Sequence, residues 1–404
     1  MGIYPKLGVN KNNIPMPKTK VTLLSQMLQL VDRDKFNKLV TKHETDKHSK
    51  GIGSWTHLVS MIFLQVSGCS SLRDVCNGLR SATGDLNHLG ITRAPARSSL
   101  SHLNKYRTEI LFKELYFHLL DKLEPSLQKS RAQARRLKRK VFIMDASIIP
   151  LCLSLFNWAQ FRTKKGALKL HAVLDYDTGL PQYASLSDGK KSDIKAGREF
   201  TFPKGSVVVA DRAYVDYGWL NNLDSNGVIF VTRIKQTNAY DVAADYNVNP
   251  KEKEIEVDWD IKLTGDRARK KYPKKLRLVW VYDEKNNKMI AVLTNNMSWT
   301  ASTIAQLYKA RWDVEVFFKH MKQLLRVKSF VGTNENAVRI QMWTAMITML
   351  LFKYLKNKGE HKWGLSNLVS FIRLNLFVKI DLWQWINEPF IEEPEEPPTQ
   401  LSLF

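Results

Sequence analysis

Tyr308, Arg311, Glu315 and Lys322 follow one another at offsets of 3, 4 and 7 in the stretch YKARWDVEVFFKHMKQLL. At about 100° per residue, the four fall within a helical sector of roughly 60°, the spacing that stacks residues on one face. Leu307, Ala310, Val314, Phe317, Phe318, Met321 and Leu325 make a second, apolar stripe, which is an ordinary core face. The polar stripe has two readings. For an arbitrary helix it is a solvated face with an Arg311–Glu315 ion pair. In the other reading it is a helix whose acid and bases point into a site.

Two more acids favour the second reading. Asp145 follows the apolar run VFIM, and Asp211 ends the apolar run VVVA. An acid at such a place is costly unless it has a job. Metal-assisted phosphoryl transfer needs oxygen ligands from a few convergent carboxylates, and strand ends in an α/β sheet hold such groups rigidly. Each acid also has a plain alternative: Asp145 starts a turn, Asp211 caps the next helix, Glu315 pairs with Arg311. Asp188 and Asp193, in SDGKKSD, rival Asp211 for the middle position but lie in a turn. His88, His102, His171 and His320 lack zinc-like spacing and read as packing or surface residues.

The composition limits the partner. The 404 residues suffice for two or three domains. Hydrophobic content of 44% with 25% charged residues is that of a soluble globular protein. Sixty-two Lys and Arg against 39 Asp and Glu leave a net charge of +23, which calls for a polyanion such as DNA. A membrane partner is not expected: the longest apolar run, from Ile340 to Phe352, is closed by Arg339 and Lys353 and is short of the roughly 20 residues a span needs. Cys69, Cys76 and Cys152 read as buried thiols, and a cytoplasmic setting follows.

The elements that must position these residues divide the chain. Residues 1–20 read as a flexible basic arm. Residues 21–127 have helical periods, and three short segments from SLRDVCNGLR to ARSSLSHLNKYR suggest a helix-turn-helix-like unit or a plain bundle. Arg97, Ser98, Ser99, Ser101, His102 and Lys105 are candidate DNA contacts there. Residues 128–140 form a basic connector containing Arg135 and Arg136. From 141 to 330 the pattern becomes three strands and then alternating helix and strand, a mixed α/β sheet. A β-rich insertion at about 236–282 carries a cationic loop with Arg267, Arg269, Lys270, Lys271, Lys274, Lys275 and Arg277. Arg212, Lys270 and Lys271 join the candidate DNA contacts. Helices follow over 331–390, and 391–404 reads as an acidic, Pro-rich tail.

Tyr308-x2-Arg311-x3-Glu315-x6-Lys322, with MDAS at Asp145 and DRAY at Asp211, resembles the YREK signature and Asp blocks of DDE transposases of the insertion sequence 4 family. The likeness covers roughly Val141 to Lys328. It implies an RNase H-like catalytic core with a β-strand insertion before the Glu helix, and an α-helical N-terminal DNA-binding domain. It implies that Asp145, Asp211 and Glu315 hold two Mg²⁺ ions, with Mn²⁺ as a substitute, and that Tyr308, Arg311 and Lys322 grip phosphates. Arg forks onto phosphate and Lys supplies a point charge. The implied function is binding of terminal inverted repeats, cleavage by hydrolysis and hairpin formation, and joining of 3′-OH ends to target DNA. A homodimer would act in the bacterial nucleoid, with Trp299 or Trp312 stacking an extruded base. The alternatives are an RNase H-like nuclease without strand transfer and a non-catalytic, transposase-derived DNA-binding protein.

Overall fold

A computed structural model describes residues 19–390 except 50, 83, 128–137, 152–155, 157, 159, 163–164, 235–237, 249–251, 253 and 326–329. Arg135, Arg136, Cys152, most of the N-terminal arm and the C-terminal tail therefore lie outside the described residues. The chain divides into two compact units, one from Asn104 to Met346 and one that combines the residues up to Leu103 with those from Ile347 onward.

The split unit opens with α1 (Leu23–Leu28), α2 (Arg33–Lys42), α3 (Ser54–Ser67), α4 (Leu72–Ser81) and α5 (Arg97–Tyr106), the last crossing into the other unit. Local chemistry marks their starts. The Asp32 carboxylate accepts from Lys35 N at 3.0 Å at the head of α2, and the Ser71 hydroxyl accepts from Asp74 N at 3.1 Å at the head of α4. A 3₁₀ turn at Leu86–Leu89 separates α4 from α5, so the three short segments expected in sequence are present. Cys76 is buried, whereas Cys69 is only half-buried and takes a hydrogen bond from the Ser67 hydroxyl at 3.0 Å, which corrects the expectation of a buried thiol there.

The other unit begins with α6 (Ile110–Leu127), whose Tyr116 hydroxyl donates to Pro181 O at 2.9 Å. Its strands are β1 (Val141–Leu151), β2 (Gln160–Arg162), β3 (Lys165–Asp175), β4 (Pro181–Asp188), β5 (Val207–Ala210), β6 (Ile229–Arg233), β7 (Tyr240–Asp245), β8 (Ile255–Leu263), β9 (Leu276–Asp283) and β10 (Lys288–Thr294). Between them lie α7 (Asp193–Gly197), α8 (Tyr217–Ser225) and α9 (Asp266–Lys271); α10 (Ala301–Lys309), α11 (Trp312–Leu324) and α12 (Glu335–Lys358) follow, the last passing into the split unit at Ile347. All ten strands form one mixed sheet, ordered β2-β3-β1-β5-β6-β10-β9-β8-β7 with β4 on β3. β1, β3 and β4 are antiparallel, β1, β5 and β6 are parallel, and β10 to β7 run on antiparallel.

The inserted strands thus extend the main sheet. The stretch expected as a cationic loop contains α9, and Arg277 has left it for β9, where it is buried. One face of the sheet is an aromatic and aliphatic core of Phe142, Met144, Val208, Tyr214, Trp219 and Phe230 among others.

The chain then closes with α13 (Leu365–Leu374) and α14 (Leu382–Asn387) in the split unit. The first N–H groups of a helix have no intrahelical partner. In α1 those of Leu23 and Leu24 donate to Val378 O and Leu376 O, each at 3.0 Å, so the two ends of the sequence are stitched together by backbone. Among the described residues no helix is long and apolar enough to cross a membrane.

Candidate active site

The register of β1 and β5 places the first two acids. The two strands are parallel, and their last pair is Met144 with Ala210. The next residue in each case is an aspartate: Asp211 follows the end of β5 as expected, whereas Asp145 lies inside β1, which runs on to Leu151 against β3, so it does not end its strand. Neighbouring strands lie about 4.8 Å apart, so the two carboxyl groups leave adjacent strands at the same level. The paired segments are buried on both strands, Val141–Met144 and Val207–Ala210. Hydrophobic burial therefore fixes the level of both acids.

The rival acids are elsewhere. Asp193 Oδ1 lies 2.8 Å from Lys169 Nζ and 3.6 Å from His171 Nδ1. Lys169 and His171 pair in register with Ile148 and Ala146, while Asp145 pairs with Ala172. Side chains alternate along a strand, so the Asp193 cluster belongs to the opposite face from Asp145. Burial pushes His171 down to about 4, so it is a neutral packing histidine hydrogen-bonded to Ser187 Oγ at 2.9 Å. Asp188, expected in a turn, is instead the last residue of β4, paired with Leu168 of β3, and its carboxylate accepts from Lys191 N at 3.1 Å.

The third acid comes from α11, which packs on β1. The polar stripe lies on two helices instead of one. Thr300 caps α10 by accepting from Thr303 N at 3.2 Å; α10 ends at Lys309, and α11 begins at Trp312. The joint tightens into i→i+3 bonds, Arg311 N to Tyr308 O and Val314 N to Arg311 O. Arg311 sits at this joint. Its Nη1 is 2.9 Å from Glu315 Oε1 and 3.6 Å from Asp145 Oδ2. The i,i+4 pair expected in sequence exists, but it reaches on to an acid far away in the chain.

Charge is unevenly matched here. Asp145 is pushed up to about 6, first by burial and further by the Asp211 and Glu315 charges; Ala146 N, donating at 2.8 Å, and Arg311 act against this. Burial raises the Tyr308 phenol as well. The Tyr308 hydroxyl and Arg311 Nε are both buried without a well-formed hydrogen bond. Orphaned polar groups of this kind are costly. Trp312 stacks near the Arg311 guanidinium, 5.1 Å from its ring centre, with nearly half its surface open. A cavity of about 330 Å³ lies alongside, bounded by Tyr308, Lys309, Trp312, Glu254 and Asp283.

Among the described residues, no three His, Cys, Asp or Glu side chains are gathered closely enough to cage a metal ion. The donor chemistry nonetheless suits a hard divalent cation: carboxylate oxygens, one of them on a carboxyl short of positive charge. Arg311 Nη1 holds two of the three acids in the meantime.

The remaining expected residues are more scattered. Lys322 is half-buried in the last turn of α11. Trp299 is half-buried in the loop before α10. Arg97, Ser98, Ser99, Ser101, His102 and Lys105 are exposed on α5, and Leu100 and Asn104 face inward. Arg212, Lys270 and Lys271 are exposed too, with Lys271 Nζ 3.7 Å from Asp216. Sequence reasoning missed Arg233, a half-buried cation at the end of β6 whose charge acts on Tyr308. It carries the signal that marked the two aspartates, a charge ending an apolar run.

Residues 136–351 match the family described as the transposase DDE domain, and residues 19–92 match a domain of unknown function (DUF4372). A protein of Sinorhizobium fredii named as transposase y4zB is 30% identical over 64% of this chain and 71% of its own length. A Geobacillus stearothermophilus protein named as a transposase for insertion sequence element IS5377 is 26% identical over 69% and 73%. One from Synechocystis, named for element IS4SA, is 25% identical over 72% and 81%. A solved piggyBac transposase synaptic complex with hairpin DNA aligns over 94% of this chain and 84% of that one, at 10% identity and a TM-score of 0.42, too distant to carry an argument. The DDE match covers more than half of the sequence and contains Asp145, Asp211 and Glu315, so this chain belongs to the transposase DDE domain family.

Proposed function

We propose that the chain is a cut-and-paste transposase of the insertion sequence 4 type, with Asp145, Asp211 and Glu315 as its catalytic acids. One observation carries this reading. Asp145 and Asp211 leave adjacent parallel strands at one level, and Arg311 ties Asp145 to Glu315. The strand order β4-β3-β1-β5-β6, three antiparallel and then two parallel, supports an RNase H-like core.

The three acids would hold two Mg²⁺ ions, or Mn²⁺ in their place. When bound, such ions activate a water or a 3′-OH and stabilise the departing oxygen. The protein's own groups then have distinct tasks. Arg311 exchanges its carboxylate partners for phosphate oxygens as DNA arrives, which releases Glu315. The Tyr308 hydroxyl and Lys322 complete the grip on the transposon end. Water attacks phosphorus and the P–O3′ bond breaks, leaving a 3′-OH. That hydroxyl forms the hairpin by attack on the opposite strand, and after hairpin opening it attacks target DNA. Trp312, open to solvent beside Arg311, is the better placed of the two tryptophans to stack an extruded base. The exposed polar face of α5 would contact the terminal inverted repeats, and a homodimer would pair two ends.

The test is a nick-and-join assay with Mg²⁺ and a duplex carrying the inverted repeats that flank the coding region. The chain should produce free 3′-OH ends and then joined products, while Glu315→Ala should bind the duplex and cut nothing. Cutting by Glu315→Ala at the parent rate sinks the triad. Cutting without joining indicates a nuclease, and binding without cutting indicates a DNA-binding derivative. Sedimentation on paired ends should give two copies of the chain per complex; a single copy counts against synapsis by a dimer.

A further inference from the structure

Away from the acids, the same sheet buries a second arginine. Arg277 lies on β9, diagonal to Asp258 on β8, since the register pairs Asp258 with Val279 and Asp260 with Arg277. Both side chains are buried. Arg277 Nε donates to Asp258 Oδ1 at 2.7 Å and Nη2 to Asp258 Oδ2 at 2.6 Å, a two-pronged pair that fixes the plane of the guanidinium. The remaining nitrogen is thereby aimed away from the sheet. Nη1 donates to Trp299 O at 2.5 Å and reaches Met297 O at 3.4 Å. These carbonyls belong to the loop between β10 and α10, the loop that delivers Tyr308, Arg311 and Glu315.

Asn295 anchors the start of the loop: its Oδ1 accepts from Phe230 N at 2.9 Å, and its Nδ2 donates to Asp224 Oδ1 at 2.8 Å and to Val228 O at 3.1 Å. Asn296 Oδ1 accepts from Ser298 N at 3.0 Å and Trp299 N at 2.8 Å, and Thr294 Oγ1 accepts from Asn296 N at 3.1 Å. These bonds shape the loop internally. The Arg277 bonds tie its middle, residues 297–299, to the inserted strands. Tyr246 packs its ring 5.5 Å from the guanidinium and donates its hydroxyl to Asp260 Oδ2 at 2.9 Å, which closes the other side of the arginine.

We infer that Arg277, oriented by Asp258, is a positioning residue for the transposase reaction: it holds the 297–299 loop at the height that sets α10 and the Arg311 joint against the acids. This inference rests on the function proposed above. It explains why the inserted strands belong to the main sheet. They carry a bracket for the helix that supplies the third acid. A lysine at 277 keeps the charge but cannot make both prongs and reach the loop, and a misplacement of about 1 Å at a reacting centre can cost on the order of 100-fold in rate.

The test uses the full-length chain and Arg277→Lys. Single-turnover cleavage of the terminal-repeat duplex is measured at saturating DNA, together with duplex affinity and backbone hydrogen exchange. The expected result is cleavage slowed about 10- to 100-fold, with affinity within about threefold and faster exchange confined to residues 296–304. Cleavage within twofold of the parent overturns the inference. So does faster exchange across β1 and β5 as well, which would make Arg277 a support of the sheet as a whole. If the parent itself cuts no duplex, the transposase reading fails; unchanged exchange in the 296–304 loop would then overturn the bracket as well, while faster exchange there would leave the bracket standing without its function.

Discussion

Arg311 and Arg277 are both arginines set among acids in the same sheet unit, and they are coordinated in opposite ways. Arg277 has a full fork on Asp258, at 2.6 and 2.7 Å, and spends its remaining nitrogen on loop carbonyls. Arg311 divides one nitrogen between Glu315 and Asp145, at 2.9 and 3.6 Å, and leaves its buried Nε without a well-formed bond. The surroundings follow suit. Asp258 is matched by its partner, whereas Asp145 is held at about 6 by burial and by two further acids. A saturated arginine has nothing left to offer a ligand and serves the fold. An unsaturated one, among acids that repel each other, stands where a cation and a phosphate would relieve the strain in charge.

That contrast can be broken by substitution. The largest effect is expected from Arg311→Ala, which should slow cleavage by about 10²–10³-fold, the scale on which single charge-stabilising groups act. Its loss of stability should be smaller than that of an Arg277 variant, since Glu315 is partly open to water and Asp145, already raised to about 6, takes up a proton readily. Arg277→Met should do the reverse in stability. Leaving Asp258 buried and unpaired should cost about 3–5 kcal/mol in a urea titration. Equal losses of stability in the two variants would erase the distinction.

Asp145→Asn sharpens the same point through pH. The carboxyl is raised from 3.8 to about 6 by folding. Its protonated form therefore stabilises the fold below about pH 4, and that contribution is lost as the pH rises through about 6. Asparagine never ionises. The variant should match the parent at pH 4 and exceed it by about 1–3 kcal/mol above pH 7. Mg²⁺ should raise the parent's melting temperature at pH 7.5 and leave that of the variant unchanged. The smallest effects belong to the exposed cations of α5. Arg97→Gln and Lys105→Gln should each weaken binding of the repeat duplex modestly and reduce the salt slope of log K by about 1. A slope that does not move would remove α5 from the DNA interface.

Much of the site was legible in the sequence because its signals are local. An acid that ends an apolar run stands out whatever the rest of the chain does, and this singled out Asp145 and Asp211. Helical spacing grouped Tyr308, Arg311, Glu315 and Lys322, although it missed the joint at Arg311, since a one-residue tightening leaves the 3–4 periodicity intact. Arg233 carried the same strand-end signal and was passed over. Arg277 was grouped with six other cations in an expected loop, because a run of Lys and Arg reads as solvated until a partner for one of them is known.

By itself, then, the sequence pointed to most of the strands and helices, to a polyanionic partner through a net charge of +23, and to the acids that were out of place. The tertiary structure decided which of those acids meet. Strand register pairs residues 66 positions apart, Met144 with Ala210, and so sets Asp145 beside Asp211 and sends Asp193 to the other face. It also decided that Arg277 is fully paired with Asp258 and that Arg311 is shared between Glu315 and Asp145. The physical reason is that burial and pairing are properties of neighbours in space. A charge reads the same in the sequence whether its partner is found or missing, and only the fold distinguishes the two.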